Sequence, residues 1–314
     1  MIKAPLSEIM EKEILNCKEK YPKRALLIIN PVSGKKLVIR YIPDIIRRLM
    51  DSGYLVTTAV TSCRGEATEI AAQLGADYDL VCCTGGDGTL NEVISGLASS
   101  DTEVALGYIP CGSTNDFAAS HGLSIDIPTA AANIAEKEVR QLDIGCFEDS
   151  FFSYVAAFGA FSWLSYTTDQ NMKNMLGHTA YILDAIKDVY KIKPIHLKLA
   201  ADGIDYEGDY IFGAVCNSTS IAGTITLPPD IVDTDDGKLE VILIKMPKTI
   251  FELDMVIRCI LSQDYSCPLI DFFQAEHIEI TNPHGLEWAL DGECKVAYDK
   301  VHINVKRSFL KLKG

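Results

Sequence analysis

The 314-residue chain lacks most of the features that assign a protein at a glance. Its ten cysteines form no C-x-x-C pair, and none of its six histidines completes a zinc spacing. The common structural zinc modules are therefore excluded. Cys82 and Cys83 adjoin inside an apolar run, while Cys17, Cys63, Cys111, Cys146, Cys216, Cys259, Cys267 and Cys294 are scattered. That placement argues against a disulfide framework and reads as thiols used as small hydrophobic groups. No stretch approaches the roughly 18 apolar residues of a membrane-crossing helix. Residues 1–20 carry acids where a signal peptide needs an unbroken apolar segment, so a reduced, soluble, cytoplasmic chain is expected. Positive charge is also scarce: 29 Lys and Arg against 43 Asp and Glu leave a formal −14. No nucleic-acid partner is expected of such a surface. G-x-x-x-x-G-K-[ST], G-x-G-x-x-G, H-E-x-x-H and G-x-S-x-G are all missing. A P-loop NTPase, a dinucleotide-binding Rossmann domain, a zincin and a serine hydrolase lose their support with them.

What is present is an alternation. Ala25–Asn30 is an apolar run stopped by Asn-Pro and predicts a buried strand. Ile39, Ile42, Ile45, Ile46, Leu49 and Met50 recur three or four apart, predicting a helix that Gly53 ends. Strands over Tyr54–Val60, Asp79–Thr84 and Val104–Pro110 then alternate with helices over Glu66–Leu74, Leu90–Leu97 and Thr129–Glu138. Such βαβ units build a parallel sheet. After about Asp143 the pattern changes: Tyr154–Phe158, Ile195–Leu199, Ile211–Asn217, Leu239–Ile244, Ile278–Thr281, Val296–Tyr298 and Val301–Val305 read as strands. Only Leu176–Tyr190 and Thr249–Leu261 read as clear helices there. An antiparallel, sandwich-like second domain follows from that strand-rich half.

Three loops should open at the carboxyl ends of the parallel strands, where open α/β sheets bind ligands. They are Asn30-Pro31-Val32-Ser33-Gly34-Lys35-Lys36, Gly85-Gly86-Asp87-Gly88-Thr89-Leu90-Asn91-Glu92 and Pro110-Cys111-Gly112-Ser113-Thr114-Asn115-Asp116-Phe117-Ala118. Three glycines within four positions, running from a strand into a helix, let backbone approach a ligand and leave amides free for phosphate oxygens. An aspartate among those amides suits a divalent cation bridging carboxylate and phosphate. Singly, each loop reads equally as a turn, and Ser113 or Thr114 as a helix cap. Together on one sheet edge they point to a phosphate-binding site.

NPVSGKK, GGDGTLNEVISGL and GYIPCGSTNDFA resemble the catalytic-domain motifs of the diacylglycerol kinase family, in its soluble bacterial branch. YVAAFGAFSWLSYTT, LGHTAYIL, DTDDGKLEV and ALDGE extend the resemblance in order, from about residue 24 to the C-terminus. GGDGT by itself is shared with NAD kinases and phosphofructokinases; GSTNDFA and ALDGE separate the lipid kinases from them. The resemblance implies an α/β fold with an N-terminal parallel-sheet, three-layer domain and a C-terminal antiparallel β-sandwich-like domain. It implies an N-terminal helical extension (1–23), an ATP-binding domain (24–142, with the chain returning to it at about 304–314) and a β-rich lipid-substrate domain (143–303). Residue by residue, Asn30, Ser33 and Gly34 would touch the nucleotide and Lys35, or Lys36, a phosphate. Gly85, Gly86, Asp87, Gly88, Thr89, Leu90 and Asn91 would cradle the polyphosphate, with Ser113 and Thr61 alongside. Asp87 and Asp116 would hold a catalytic Mg²⁺, and Glu293 would be the general base. Asp143 would belong to the active-site network or cap the domain junction. Asp236 by side chain, with the carbonyls of Asp233 and Lys238, would hold a structural Mg²⁺; the bland reading is an acidic turn.

The activity so implied is ATP- and Mg²⁺-dependent phosphorylation of a membrane lipid, diacylglycerol yielding phosphatidic acid for phospholipid biosynthesis. Alternatives are another acceptor (a sphingoid base, phosphatidylglycerol, or soluble NAD) and a silent nucleotide- or lipid-binding regulator. Phe158, Phe161, Trp163 and Tyr166 suit a lipid groove or a core equally. The implied partner is a lipid met in brief, salt-sensitive contact at the inner membrane face, through basic islands at Arg40, Arg47 and Arg48 or Lys306, Arg307, Lys311 and Lys313. A homodimer is expected from frequency alone.

Overall fold

The computed structural model describes residues 20–159, 193–221, 225–281, 285–296 and 299–314. Most of the expected N-terminal extension, the expected helix Leu176–Tyr190 and the aromatic trio Phe161, Trp163 and Tyr166 lie outside these residues. The chain divides into two compact units. The first comprises the chain up to Asn115, Leu123–Gln141 and Leu310–Gly314; the second comprises Asp116–Gly122 and Leu142–Phe309.

In the first unit, β1 (Lys23–Ile29), β2 (Tyr54–Val60), β3 (Leu80–Gly85) and β4 (Ala105–Pro110) form a parallel sheet in the order β2-β1-β3-β4. β1, β3 and β4 are apolar and buried almost throughout, as strands covered on both faces must be, whereas β2 alternates at the edge. The helices are α1 (Ile42–Asp51), α2 (Glu66–Leu74), α3 (Asp87–Ser99) and, beyond the third loop, α5 (Ile127–Glu136). Helices α1 and α5 bury Ile45, Leu49, Ala130, Ala131 and Ile134 against the Leu27, Ile29, Cys82 and Ile109 face. The layered α/β class expected above is the one observed. The expected first helix is split: a 3₁₀ segment (Ser33–Arg40) precedes α1, with Pro43 at the start of the latter.

The second unit begins with the short α4 (Asp116–Ser120). Its strands are β5 (Val139–Phe147, entering from the first unit), β6 (Ser150–Phe152), β7 (Val155–Gly159), β8 (Ile195–Ala201), β9 (Ile204–Cys216), β10 (Ser220–Ile221) and β11 (Ile225–Thr226). β12 (Leu239–Lys245), helix α6 (Ile250–Ser262), β13 (Ile270–Ala275), β14 (His277–Thr281), β15 (Glu287–Leu290), β16 (Glu293–Val296) and β17 (Lys300–Lys313) complete it. Pairing is antiparallel, with β9 long enough to meet β8 along its first half and both β7 and β12 along its second. Trp288 packs edge-on to Phe147 and Phe158, ring centroids 5.0 and 4.7 Å away, at the centre of the core. Phe158 is therefore core and not groove.

Two boundaries differ from expectation. The return to the first unit starts at Leu310, because Asn304 still pairs with His277 and Ser308 is bonded to Asp143 in the second unit. Asp116–Gly122 belongs with the second unit, where the Ser120 and Ser218 hydroxyls stand 2.7 Å apart.

Candidate active site

In the first unit the strand order reverses between β1 and β3, and the loops leaving the carboxyl ends of β1, β3 and β4 meet there. Asn30 ties the first loop to the second. Its N–H donates to the Thr84 carbonyl (3.1 Å), its Oδ1 accepts from the Val32 N–H (3.2 Å) and its Nδ2 donates to Thr89 Oγ1 (2.8 Å). Ser33 Oγ donates to the Cys111 carbonyl (3.2 Å), joining the first loop to the third. Gly34, Lys35 and Lys36 fall on the backbone of the 3₁₀ segment.

The second loop is shorter than its motif suggests. α3 starts at Asp87, so Gly86 alone separates it from β3. Leu90 is fully buried and its N–H donates to the Gly86 carbonyl (3.1 Å), so its side chain serves the core. Thr89 and Asn91 are buried too, while Gly86, Asp87 and Gly88 are half-exposed. Crowding by backbone, not left-handed conformation, explains Gly86 and Gly112. A Cβ on Gly112 would stand 2.6 Å from the Gly86 Cα, because the loops after β3 and β4 touch there. A Cβ on Gly88, by contrast, would meet nothing within 4 Å. The first turn of this 13-residue helix is thus half-exposed and open beside Gly88. Unpaired first-turn amides and the positive end of the helix dipole make such a turn an anion site. This cradle fits a polyphosphate.

Asn115 clamps the third loop. It adopts a left-handed conformation (φ +55°), with Oδ1 accepting from the Gly112 N–H (2.8 Å) and Nδ2 donating to the Gly112 carbonyl (3.0 Å). The Tyr108 hydroxyl lies 3.3 Å from the Gly85 carbonyl and 3.4 Å from Asn115 Oδ1. Ser113 is exposed beside this clamp. Thr61 is turned inward: its N–H and hydroxyl both donate to the Ile29 carbonyl (2.9 and 3.3 Å). Neither Asn115 nor Tyr108 stood out in the sequence, since nothing local marks the Gly112 amide as their target.

In the second unit Asp116 heads α4 and is 7% exposed. Asp143, 1% exposed, organises the acidic turn. Its carboxylate accepts from the Gly237 N–H (2.7 Å) and the Ser308 N–H (2.6 Å). Its own N–H donates to the Thr234 carbonyl (2.8 Å), and its carbonyl accepts from Asn217 Nδ2 (2.7 Å). Burial raises the Asp143 carboxyl above the usual aspartate range, with the two amides opposing and Asp235 and Asp236 adding to the rise. Asp143 is thus a buried clamp. Asp236 Oδ1 accepts from the Lys238 N–H (2.9 Å) and Asp233 Oδ1 from the Asp235 N–H (3.2 Å). Among the described residues, no group of three or more His, Cys, Asp or Glu side chains is arranged to hold a metal ion. The expected set calls for a single carboxylate, Asp236, and that residue is exposed on the turn.

Glu293 opens β16 opposite Leu290, half-buried. The two-residue turn before it, Asp291-Gly292, has φ of +48° and +87°, the primed-turn geometry that tight hairpins require. Asp291 fixes that turn from beneath. Oδ2 accepts from the Ser153 N–H (2.6 Å) and Oγ (2.8 Å), and Oδ1 from the N–H groups of Tyr154 (3.1 Å) and Val155 (3.0 Å).

Known proteins resemble the chain along most of its length. The diacylglycerol kinase catalytic domain profile matches residues 24–147, and the YegS C-terminal NAD kinase beta sandwich-like domain profile matches residues 161–312. The diacylglycerol kinase of Bacillus subtilis (strain 168) is 30% identical over 273 residues, covering 86% of this chain and 90% of its own. That of Staphylococcus aureus (strain JH9) is 32% identical over 287 residues, covering 91% of this chain and 90% of its own. A crystal structure of a diacylglycerol kinase from Bacillus anthracis str. Sterne matches in fold with TM-score 0.74 at 24% identity, covering 93% of this chain and 96% of that one.

Proposed function

The chain belongs to the diacylglycerol kinase family, and from that premise we propose that it transfers the γ-phosphoryl group of ATP to the hydroxyl of a membrane lipid, with diacylglycerol as acceptor. The observation that carries this reading is the open cradle at the head of α3: half-exposed Gly86–Gly88, clear space over Gly88, and an Asn30–Thr89 bond tying the neighbouring loop to it. Bound there with Mg²⁺, ATP would supply the transferable phosphoryl group.

Phosphoryl transfer asks the protein for positioning, charge neutralisation and a proton acceptor, with little covalent chemistry of its own. Amides of the Gly86–Gly88 turn would hold phosphate oxygens, with Lys35 or Lys36, Ser33 and Ser113 contributing from the flanking loops. Asp87 and Asp116 would hold the cation. Glu293 would take the proton of the attacking lipid hydroxyl, its carboxylate held in place by the Asp291 turn. The Asp236 turn would keep a second, structural Mg²⁺.

A labelled-ATP assay over a lipid extract, with mass spectrometry of the product, tests the reading. A phosphorylated glycerolipid is expected, and Glu293→Gln and Asp87→Ala should each lower kcat by orders of magnitude with Tm unchanged. Label on NAD, or ATP bound with no lipid-dependent ADP release, would overturn it.

A further inference from the structure

Just past the end of β9 stand two fully buried polar residues, Asn217 and Ser218, and each holds a different part of the second unit. Asn217 donates its N–H to the Tyr154 carbonyl (3.1 Å) and its Nδ2 to the carbonyls of Asp143 (2.7 Å) and Thr234 (3.2 Å). Tyr154 in turn donates its N–H to Asp291, so this strand end is fastened to the segment that seats the turn before Glu293. Ser218 reaches the other way, to α4. Its Oγ donates to the Ser220 carbonyl (2.7 Å), accepts from the Ser220 N–H (3.0 Å) and stands 2.7 Å from Ser120 Oγ. A serine hydroxyl carries one proton. Because that of Ser218 is committed to Ser220, Ser120 is the donor in the pair between them.

Helix α4 depends on such a link. It has five residues, too few to hold a helix by its own hydrogen bonds. Left-handed residues on either side, Asn115 (φ +55°) and Gly122 (φ +61°), turn the chain away from it. Phe117 and Ala118 are fully buried, which fixes its depth. Apolar burial is non-directional, however, and does not by itself set the rotation of a helix about its axis. The Ser120–Ser218 bond does, across 98 residues of chain. Asp116 and Ser120 are four residues apart and so lie on one face of the helix. A rotation fixed at Ser120 is fixed at Asp116 as well.

We propose that Ser120 and Ser218 are a positioning pair whose hydrogen bond sets the rotation of α4 and thereby aims the Asp116 carboxylate at the cation; the proposal rests on the cation-holding role given to Asp116 above. Through the adjacent Asn217, the same strand end supports the segment that seats the Glu293 turn. The proposed cation ligand and the proposed base therefore share one anchor within the second unit.

Calorimetric titration of the full chain with ATP, once in Mg²⁺ and once in EDTA, gives two dissociation constants whose ratio is the metal's share of binding. Ser120→Ala leaves both Ser218–Ser220 bonds in place. It should lower that ratio about fivefold, the reach of one hydrogen bond, with the EDTA constant and Tm nearly unchanged. Ser120→Thr keeps the hydroxyl and should restore the ratio. Ser218→Ala should lower the ratio equally and lower Tm as well, because the buried Ser220 groups lose their partner. Adding Ser120→Ala to it should lower the ratio no further, as for two residues acting through one bond. A ratio unmoved by Ser120→Ala but lowered by Asp116→Ala would overturn the proposal and leave the cation role of Asp116 standing. A ratio unmoved by Asp116→Ala would remove that role and the proposal with it. The expected ratios without any phosphorylated lipid would leave the pair standing and remove the lipid-kinase reading.

Discussion

Asp291 receives four hydrogen bonds from the Ser153–Val155 segment, two on each carboxylate oxygen, and Glu293 follows it by two residues. A buried acceptor serving that many donors cannot be replaced cheaply. Asp291→Ala leaves three backbone N–H groups and a hydroxyl without partners, and a buried unsatisfied group costs about 1–3 kcal/mol. Shared within one network, these losses do not add, so a net destabilisation of about 3 kcal/mol is expected. For a unit of this size that lowers Tm by about 6–12 °C. ATP affinity, which the other unit carries in the proposed mechanism, should hold at temperatures below the transition, while kcat falls as Glu293 loses its seat. An Asp291→Ala chain with unaltered kcat would show that the turn does not position the base. Asp143 follows the same physics: its carboxylate accepts one amide on each oxygen and shapes the chain around it.

At the scale of elements, the loops after β3 and β4 are a contact between two backbones, and glycine substitutions there separate binding from folding. Gly88 lies inside α3 with space where a Cβ would go, so Gly88→Ala should gain up to about 1 kcal/mol of helix propensity. Yet the methyl would stand in the proposed cradle. A raised Tm together with an ATP KM higher by about tenfold is expected, read by thermal melts and initial rates; unchanged KM would place the phosphates elsewhere. Gly112→Ala should raise KM as well but lower Tm, because its Cβ would meet the Gly86 Cα at 2.6 Å. These elements differ in how far the sequence reveals them. β1, β3 and β4 are legible because burial on both faces makes them continuous apolar runs, and Asn-Pro, Gly-Gly and Pro-Cys-Gly mark their ends. The clamp of Asn115 on Gly112 is not legible. It depends on backbone groups that only the folded loop brings within reach.

At the scale of the whole molecule, the chain starts the first unit, builds the second and comes back to the first for its last five residues. The sequence shows the first part of β17, the strand that carries the return, since Val301–Val305 alternates like a strand. Its continuation is masked by Ser308, whose left-handed φ of +47° interrupts the alternation and whose N–H is held by Asp143. Beyond it, Lys311–Lys313 pairs in parallel with Ala105–Gly107 of β4 and forms part of the first unit's sheet. The basic tail is engaged there: Lys311 pairs with Glu103 at 2.9 Å, and Lys313 Nζ donates to the Ile134 and Ala135 carbonyls at the end of α5. Arg307 likewise pairs with Glu276 in the second unit, whereas Arg40, Arg47 and Arg48 remain exposed. Leu310 and Leu312 are buried to 2% and 0% exposure, so deleting Leu310–Gly314 removes two core side chains and a sheet partner. Each buried leucine is worth about 2–5 kcal/mol, and the sum rivals the roughly 5–15 kcal/mol that holds a typical domain together. The truncated chain should therefore melt in two steps, with the first unit's transition at the lower temperature and ATP binding lost across it. Calorimetry with and without ATP reads this directly. A single transition at the full-length Tm would mean that the first unit stands without its returning strand, and the last five residues would then be an accessory to the sheet.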